Sequence, residues 1–372
     1  MNDAARYQRQ ILLPGIGIKG QQLLQDAKVL VIGAGGLGCP ALQYLVAAGV
    51  GTIGIVDGDT VDITNLHRQI LYGNADLHHQ KALVAKEKLL QLNPGCTINA
   101  YPYFIDPSNA FDLASRYDIV LDGSDNFGTR YMINDICVLL RKPLVYGSIY
   151  RFEGQVAVFN YLLPDGTYSA QYRDLFPEPP AENTIPNCAE AGVLGVLPGI
   201  IGSMQANEVI KLIIKTGKPL INQLLTYNAL TNESYNLAFD YTLTGKKGVP
   251  SNRAAFEDTL YDIACSNNRP LNIVSVDAAV FDTMINNENI QIIDVRETGE
   301  LPLVNQFNHV QIPLSIWNEH LVNREQDILL FCQSGVRSKK AANAIASHIV
   351  NKTIFNLEGG INAWLAYKSN HI

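Results

Sequence analysis

Between the apolar, β-branched run Lys28 to Ile32 and an apolar helical segment ending near Gly49 stands Gly33-Ala34-Gly35-Gly36-Leu37-Gly38, and no other stretch restricts the fold as much. A turn so dense in glycine, leaving a strand and opening a helix, can aim its backbone N–H groups and the helix dipole at one phosphate. A second apolar run, Thr52 to Val56, closes a βαβ unit and leads into Asp57, placed to accept hydrogen bonds from ribose hydroxyls. The pattern continues with a helix from about Ala75 to Leu92, a strand Asp118 to Asp122, a helix Phe127 to Arg141 and a strand Pro143 to Tyr146. The predicted fold is α/β, with a Rossmann-like, mostly parallel sheet. The glycine turn alone suits NAD as well as ATP.

At 372 residues the chain is long enough for one large core and a second, smaller one. The polar, Gly/Lys/Asn-rich text around Thr242 to Arg269 reads as the linker, which divides the chain into a first domain 1–245, a linker 246–271 and a second domain 272–372. The second domain is predicted as a small α/β unit with strands Ile290 to Val295, Ile328 to Phe331 and Thr353 to Leu357, and a helix Ser338 to Ile349. A net charge of −7 and the lack of any Lys/Arg run argue against a nucleic-acid partner. The first ten residues lack the apolar core of a signal peptide, so the mature protein is expected to start there. Ala191 to Met204, the most apolar stretch, is too short for a bilayer and reads as buried protein. Six scattered cysteines without a Cys-x-x-Cys indicate free thiols in a reducing compartment, hence a cytoplasmic protein with no membrane partner.

Downstream of Asp57, the run Asp57-Gly58-Asp59-Thr60-Val61-Asp62 leads into Asn65-Leu66-His67-Arg68-Gln69, and Lys81 follows at a helix start. Arg and Lys beside a phosphate turn can neutralise a triphosphate and its pyrophosphate leaving group, although each by itself also reads as a solvated surface charge. Asp125 is of the kind that holds Mg²⁺ on ATP, and equally of the kind that caps a helix beginning near Phe127. With Arg6-Tyr7-x-Arg9-Gln10, the glycine turn, Asn65-Leu66-x-Arg68-Gln69, Lys81 and Asp122-x-x-Asp125-Asn126, about two-thirds of the chain resembles the ubiquitin-activating-type adenylyltransferases of molybdenum-cofactor and thiamine biosynthesis. The resemblance implies ATP and Mg²⁺ as cofactors. It further implies that Gly33, Gly35, Gly36 and Gly38 form the nucleotide turn, with Asp57 and Asp59 beside it. Asp57 would bind ribose, Asn65, Arg68 and Lys81 would hold phosphates, Asp125 would hold Mg²⁺, and Arg9 would reach the triphosphate from the partner subunit of a homodimer.

Asn187-Cys188-Ala189-Glu190-Ala191-Gly192 follows a proline-rich crossover with Pro177, Pro179, Pro180 and Pro186. A Cys at a helix start can be a dipole-stabilised nucleophile or a buried packing residue; the family resemblance implies a catalytic thiol at Cys188. Many of these relatives carry a zinc knot of two Cys-x-x-Cys pairs, the first just before a Leu-Phe-Pro motif. Here that segment is Gln171-Tyr172-Arg173-Asp174-Leu175-Phe176-Pro177, so no structural zinc is predicted and packing is expected to replace it.

In the second domain, Phe331-Cys332-Gln333-Ser334-Gly335-Val336-Arg337-Ser338 lies between a strand and a helix, where successive amides can form an anion nest that lowers the Cys332 pKa. Four residues separate Cys332 from Arg337, one fewer than in Cys-based phosphatase loops. With Ile292-Ile293-Asp294-Val295-Arg296-Glu297 before it and Leu357-Glu358-Gly359-Gly360-Ile361-Asn362-Ala363-Trp364 after it, the segment resembles rhodanese-type sulfurtransferases over the last hundred residues. Arg337 is expected to support the thiolate and orient a donor anion.

The whole predicts adenylation of the C-terminal carboxylate of a ubiquitin-like sulfur carrier ending in Gly-Gly, followed by sulfur transfer from a Cys332 persulfide. The upstream donor would be thiosulfate or a cysteine desulfurase persulfide. The alternatives are an NAD-dependent oxidoreductase with a regulatory C-terminal module, and a non-catalytic scaffold for the carrier.

Overall fold

Strand β1 (Lys28–Ile32) is buried on both faces, which is why its sequence reads as an unbroken apolar run and not as an alternation. The computed structural model describes residues 3–178, 192–241, 248–259, 261, 273–287, 289–317, 322, 326–346 and 352–370. In it, Val29 and Val31 join a core with Leu42, Leu45 and Val46 of the helix Gly38–Ala48. Leu30 and Ile32 point the other way, into a core with Met132, Ile133 and Ile136 of the helix Phe127–Leu140. Each of these aliphatic side chains, essentially sealed from water, contributes roughly 1.5–3 kcal/mol of burial.

The chain divides into two units, Met1–Ser266 and Asn267–Ile372. In the first, β1 lies between β2 (Thr52–Val56) and β4 (Ile119–Asp122), with β3 (Thr97–Tyr101) outside β2 and β5 (Leu144–Tyr150) outside β4, all paired parallel. The strand order therefore reverses at β1 and β4, and a crevice opens beyond their C-terminal ends. Three more strands, β6 (Glu153–Phe159), β7 (Gln223–Asn228) and β8 (Ser234–Ala238), extend the sheet antiparallel. This extension was not read from the sequence; β8 alternates Tyr235 and Leu237 with Ser234 and Asn236 but buries none of them. The helix expected from Ala75 begins only at Lys81. Ahead of it, Asn74–Asp76 is a 3-10 turn closed by Gly73 N–H to Asp76 Oδ2 at 2.6 Å, and His78 takes a left-handed φ of 67° that no helix accommodates.

The described part of the apolar stretch ending at Met204 runs into the helix Leu197–Ile214, whose polar Gln205 and Glu208 are buried with their partners: Gln205 Nε2 donates to Asp122 O at 2.6 Å, and Glu208 Oε2 accepts Leu220 N–H at 2.9 Å. Where relatives would carry the first cysteine pair, Gln171 N–H donates to Asp174 Oδ2 at 2.8 Å. Between them, Arg173 grips Asp135 through two bonds of 2.7 Å, and Tyr261 OH donates to the same carboxylate at 2.7 Å. A buried polar network, and not apolar packing alone, holds this segment. Within the expected linker, Phe256 is buried in the first unit's core and Arg253 pairs with Asp112.

The second unit is a five-stranded parallel sheet in the order β11 (Val310–Gln311), β10 (Ile290–Asp294), β12 (Asp327–Phe331), β13 (Ile354–Leu357), β9 (Ile273–Val276). Period-two alternation again fills both faces. Ile293 and Leu330 pack with Ala341 and Ile345 of the helix Val336–Ala346, while Ile292, Leu329 and Phe331 pack with Phe281, Phe307 and Trp364. No described helix is long and apolar enough to cross a membrane.

Candidate active site

The crevice at the strand reversal is a cleft with about 950 Å³ of free space. Gly33 forms its floor with φ +91°, and a Cβ there would lie 2.6 Å from Gly123 O; at Gly38 it would lie 1.9 Å from Gly33 O, so the helix could not dock on the turn. Asp57 fastens the turn to β2: its Oδ2 accepts Ala34 N–H and its Oδ1 accepts Asp59 N–H, both at 2.8 Å. Burial, helped by neighbouring Asp59, pushes the Asp57 carboxyl up to about 6 against the pull of Lys81 and those two N–H groups.

Lys81 is almost buried, with Nζ 3.1 Å from Asp59 Oδ2, while its own N–H donates to Asp59 O at 2.9 Å. Arg68 Nη1 donates to Thr64 O at 3.0 Å, within the turn Ile63–Asn65 that Asp62 caps. Asp125 stands exposed at the cleft, just before the helix Phe127–Leu140; Asn126, not Asp125, caps that helix by accepting Thr129 N–H at 2.8 Å. The protein around Asp125 raises its carboxyl pKa, Asp59 adds to the rise, and Arg130 and Lys81 oppose it.

One cleft thus gathers Gly33, Gly35, Gly36, Asp57, Asp59, Arg68, Lys81 and Asp125. Gly38, Asn65 and Arg9 are not among the residues that line it. Asn65 Nδ2 donates to Thr64 Oγ1 at 3.3 Å, and Gly38 supports the turn from behind. Arg9 is exposed on the helix Asp3–Ile11, whose other motif residues make their contacts within the chain: Arg6 donates to Leu92 O, Gln10 to Ala48 O, and Tyr7 is buried, accepting from Asn93. Cys188 lies outside the described residues.

Arg130 was missed in the sequence, and Gln69, although part of the motif around Arg68, was given no role. Both are buried cleft residues with an atom that lacks a partner, Arg130 Nε and Gln69 Oε1. Arg130 is boxed by the rings of Phe127 and Tyr146, with its Nη2 donating to Ser124 O at 3.3 Å. Its position one helical turn after Asn126 was the available signal. Phe104 and Tyr103 also line the cleft, and went unread because the edge strand before them has only one buried residue.

In the second unit Cys332 is buried at the floor of a loop, where Gly335 N–H donates to Sγ at 3.1 Å and Ser338 Oγ at 3.4 Å. Burial raises the thiol pKa, but the Ser338 hydroxyl and backbone N–H and those of Ser334 and Gly335 outweigh it, so the net direction is downward. Arg337 is held in a bidentate pair with Glu300.

A glycine turn and a switch-point cleft lined with acidic and basic groups, in a chain whose residues 7–242 match the ThiF family, place this protein in that family; residues 277–367 match the rhodanese-like domain. Among particular relatives, the chain is 42% identical to the probable adenylyltransferase/sulfurtransferase MoeZ of Mycobacterium tuberculosis, over 97% of this chain and 93% of that protein. It is 53% identical to the sulfur carrier protein adenylyltransferase of Thermus thermophilus, over 60% of this chain and 83% of that protein. The adenylyltransferase and sulfurtransferase of Drosophila willistoni is 35% identical, over 98% of this chain and 83% of its own. In fold, the chain is similar to E. coli MccB solved with ATP, with a TM-score of 0.56 and 21% identity over 64% of this chain and 72% of that one.

Proposed function

We propose that this chain activates the C-terminal glycyl carboxylate of a ubiquitin-like sulfur carrier as an acyl adenylate and then converts it to a thiocarboxylate with sulfur held on Cys332. The observation that carries the reading is the presence, in one chain, of the charged cleft and of a thiol held in an amide nest. In the first step a carboxylate oxygen attacks the α-phosphorus of ATP and pyrophosphate leaves. Little covalent work is asked of the protein, so positioning and charge neutralisation by Arg68, Lys81 and the glycine turn carry it. Asp125 and Asp59 offer hard oxygen donors on one cleft and would hold Mg²⁺, which takes one or two carboxylates and completes its shell with phosphate and water. Bound there, the ion would offset charge on the reacting phosphates.

In the second step the terminal sulfur of a Cys332 persulfide attacks the activated carbonyl and AMP leaves, giving an acyl disulfide. A thiolate, assigned to Cys188, then attacks Cys332 Sγ, so that the thiocarboxylate leaves with the electron pair of the broken S–S bond and the disulfide that remains is reduced by an external dithiol. Family membership sets aside the dehydrogenase alternative, and carrier-dependent exchange of pyrophosphate into ATP would exclude a mere scaffold. The test is mass spectrometry of a Gly-Gly-ended carrier after incubation with ATP and a sulfur donor. Cys332→Ala is expected to keep adenylation and lose thiocarboxylate, whereas Cys188→Ala should keep adenylation and thiosulfate cleavage but release thiocarboxylate slowly. A carrier that gains sulfur as fast with Cys332→Ala as with wild type would sink the mechanism.

A further inference from the structure

Arg337 was expected to receive the anionic end of a sulfur donor, yet its guanidinium is already taken. Nη1 donates to Glu300 Oε2 at 2.8 Å and Nη2 to Glu300 Oε1. The carboxylate is itself held in place: Glu297 N–H donates to Glu300 Oε2 at 3.2 Å and Glu300 N–H to Glu297 O at 3.1 Å. Its loop is tied down by buried Arg296, which pairs with Asp294 at 2.7 Å and donates to Pro302 O at 2.8 Å. Arg296 is therefore spent on Asp294. Glu297, which accepts Ser315 Oγ at 2.8 Å, brings a second carboxylate close enough to act on Arg337. Near the thiol, two carboxylates face one guanidinium.

We propose that Glu300 is a specificity-determining residue of the sulfurtransferase loop, which, by occupying Arg337, discriminates against donors that carry a dianionic group next to the transferred sulfur. The inference rests on the sulfur-transfer reading of Cys332. With thiosulfate, the Cys332 thiolate attacks the sulfane sulfur, the S–S bond to Cys332 forms, and sulfite leaves with the electron pair of the broken bond, so charge of −2 enters and leaves beside Arg337. With a persulfide R–S–SH, the thiolate takes the terminal sulfur with its proton and RS⁻ leaves, so no multiply charged group needs a cation.

The test compares thiosulfate with methanethiosulfonate, which presents the same sulfane sulfur with one negative charge fewer, following the sulfur gained by Cys332 by mass spectrometry and turnover with cyanide. Glu300→Gln, which keeps the size and removes the charge, should raise kcat/KM for thiosulfate about tenfold, mostly through KM, and that for methanethiosulfonate less than about threefold. The gain should vanish in the Arg337→Gln background. A second readout needs no turnover: the rate ratio of Cys332 alkylation by anionic iodoacetate over neutral iodoacetamide should rise in Glu300→Gln. An equal change with both donors, together with an unchanged alkylation ratio, would overturn the gate and leave Glu300 a merely structural partner. A wild type whose Cys332 gains sulfur from neither donor nor from a low-molecular-weight persulfide would overturn the sulfurtransferase reading itself, whereas the alkylation ratio judges the electrostatic gate independently.

Discussion

A carboxylate that both fastens the glycine turn and faces the cleft loses water on two sides, and Asp57 shows the consequence in a pKa raised to about 6. Above that pH both oxygens can accept, as the ribose-binding role we assign to Asp57 requires; below it, one oxygen carries a proton. Adenosine, which has no phosphate to titrate, should therefore bind more weakly as the pH falls through about 6, and calorimetry from about pH 8 to about pH 5 should show the step in wild type and not in Asp57→Asn. For the empty protein the sign is opposite. A folded pKa above the unfolded 3.8 favours folding below pH 3.8, and that gain is lost as the pH rises through about 6. Asp125 belongs to the same scale. Because Asn126 and not Asp125 caps the following helix, Asp125→Ala should leave the melting temperature nearly unchanged while lowering pyrophosphate exchange by about a hundredfold or more. Near-normal exchange would remove Asp125 from the metal role.

At the scale of elements, the segment Tyr172–Leu175 is the instructive case. Its Arg173 and Tyr131 ring lie 4.6 Å apart, and Arg173, Asp135 and Tyr261 join it to the helix Phe127–Leu140 and to the chain beyond β8. Removing one partner of a buried pair strands the other charge, at a cost of roughly 3–5 kcal/mol. Arg173→Met should thus lower the melting temperature by on the order of 10 °C, and Asp135→Leu in the same chain should recover part of the loss. Tyr261→Phe should cost only about 1 kcal/mol. Since we assign the tie to this network, a chelator should leave the melting temperature of the first unit where it is; a fall on chelation would point to a structural metal instead.

The whole molecule raises the question of where Arg9 acts. Arg6, Tyr7 and Gln10 make their contacts within the chain, and Arg9 stands exposed beside them. If a homodimer forms with Arg9 reaching across, mixing inactive Arg9→Ala with inactive Asp125→Ala should restore about a quarter of the pyrophosphate exchange, since about half of the dimers are then mixed and each of these holds one intact site. No recovery despite demonstrated subunit exchange would confine Arg9 to its own subunit.

Local chemistry determined much of this protein. A glycine turn after a sealed apolar strand, an acid at the end of the next strand and a cysteine ahead of a nest are consecutive in the chain, so strand, turn, Asp57 and Cys332 were legible from the residues themselves. What neighbours across the fold decide was not. Arg130 and Phe104 come to the cleft from a helix and from the loop after an edge strand, which only sheet order brings together. Gln205 and Glu208 follow the apolar stretch that ends at Met204, and backbone groups from Asp122 and Leu220 meet them in the interior. Glu300 was not singled out in the sequence; the parallel pairing of β10 with β12 brings its loop beside Arg337. A side chain's spacing along the chain settles its own backbone's geometry, but its charge and hydrogen-bond partners are set by whatever the sheet places opposite it.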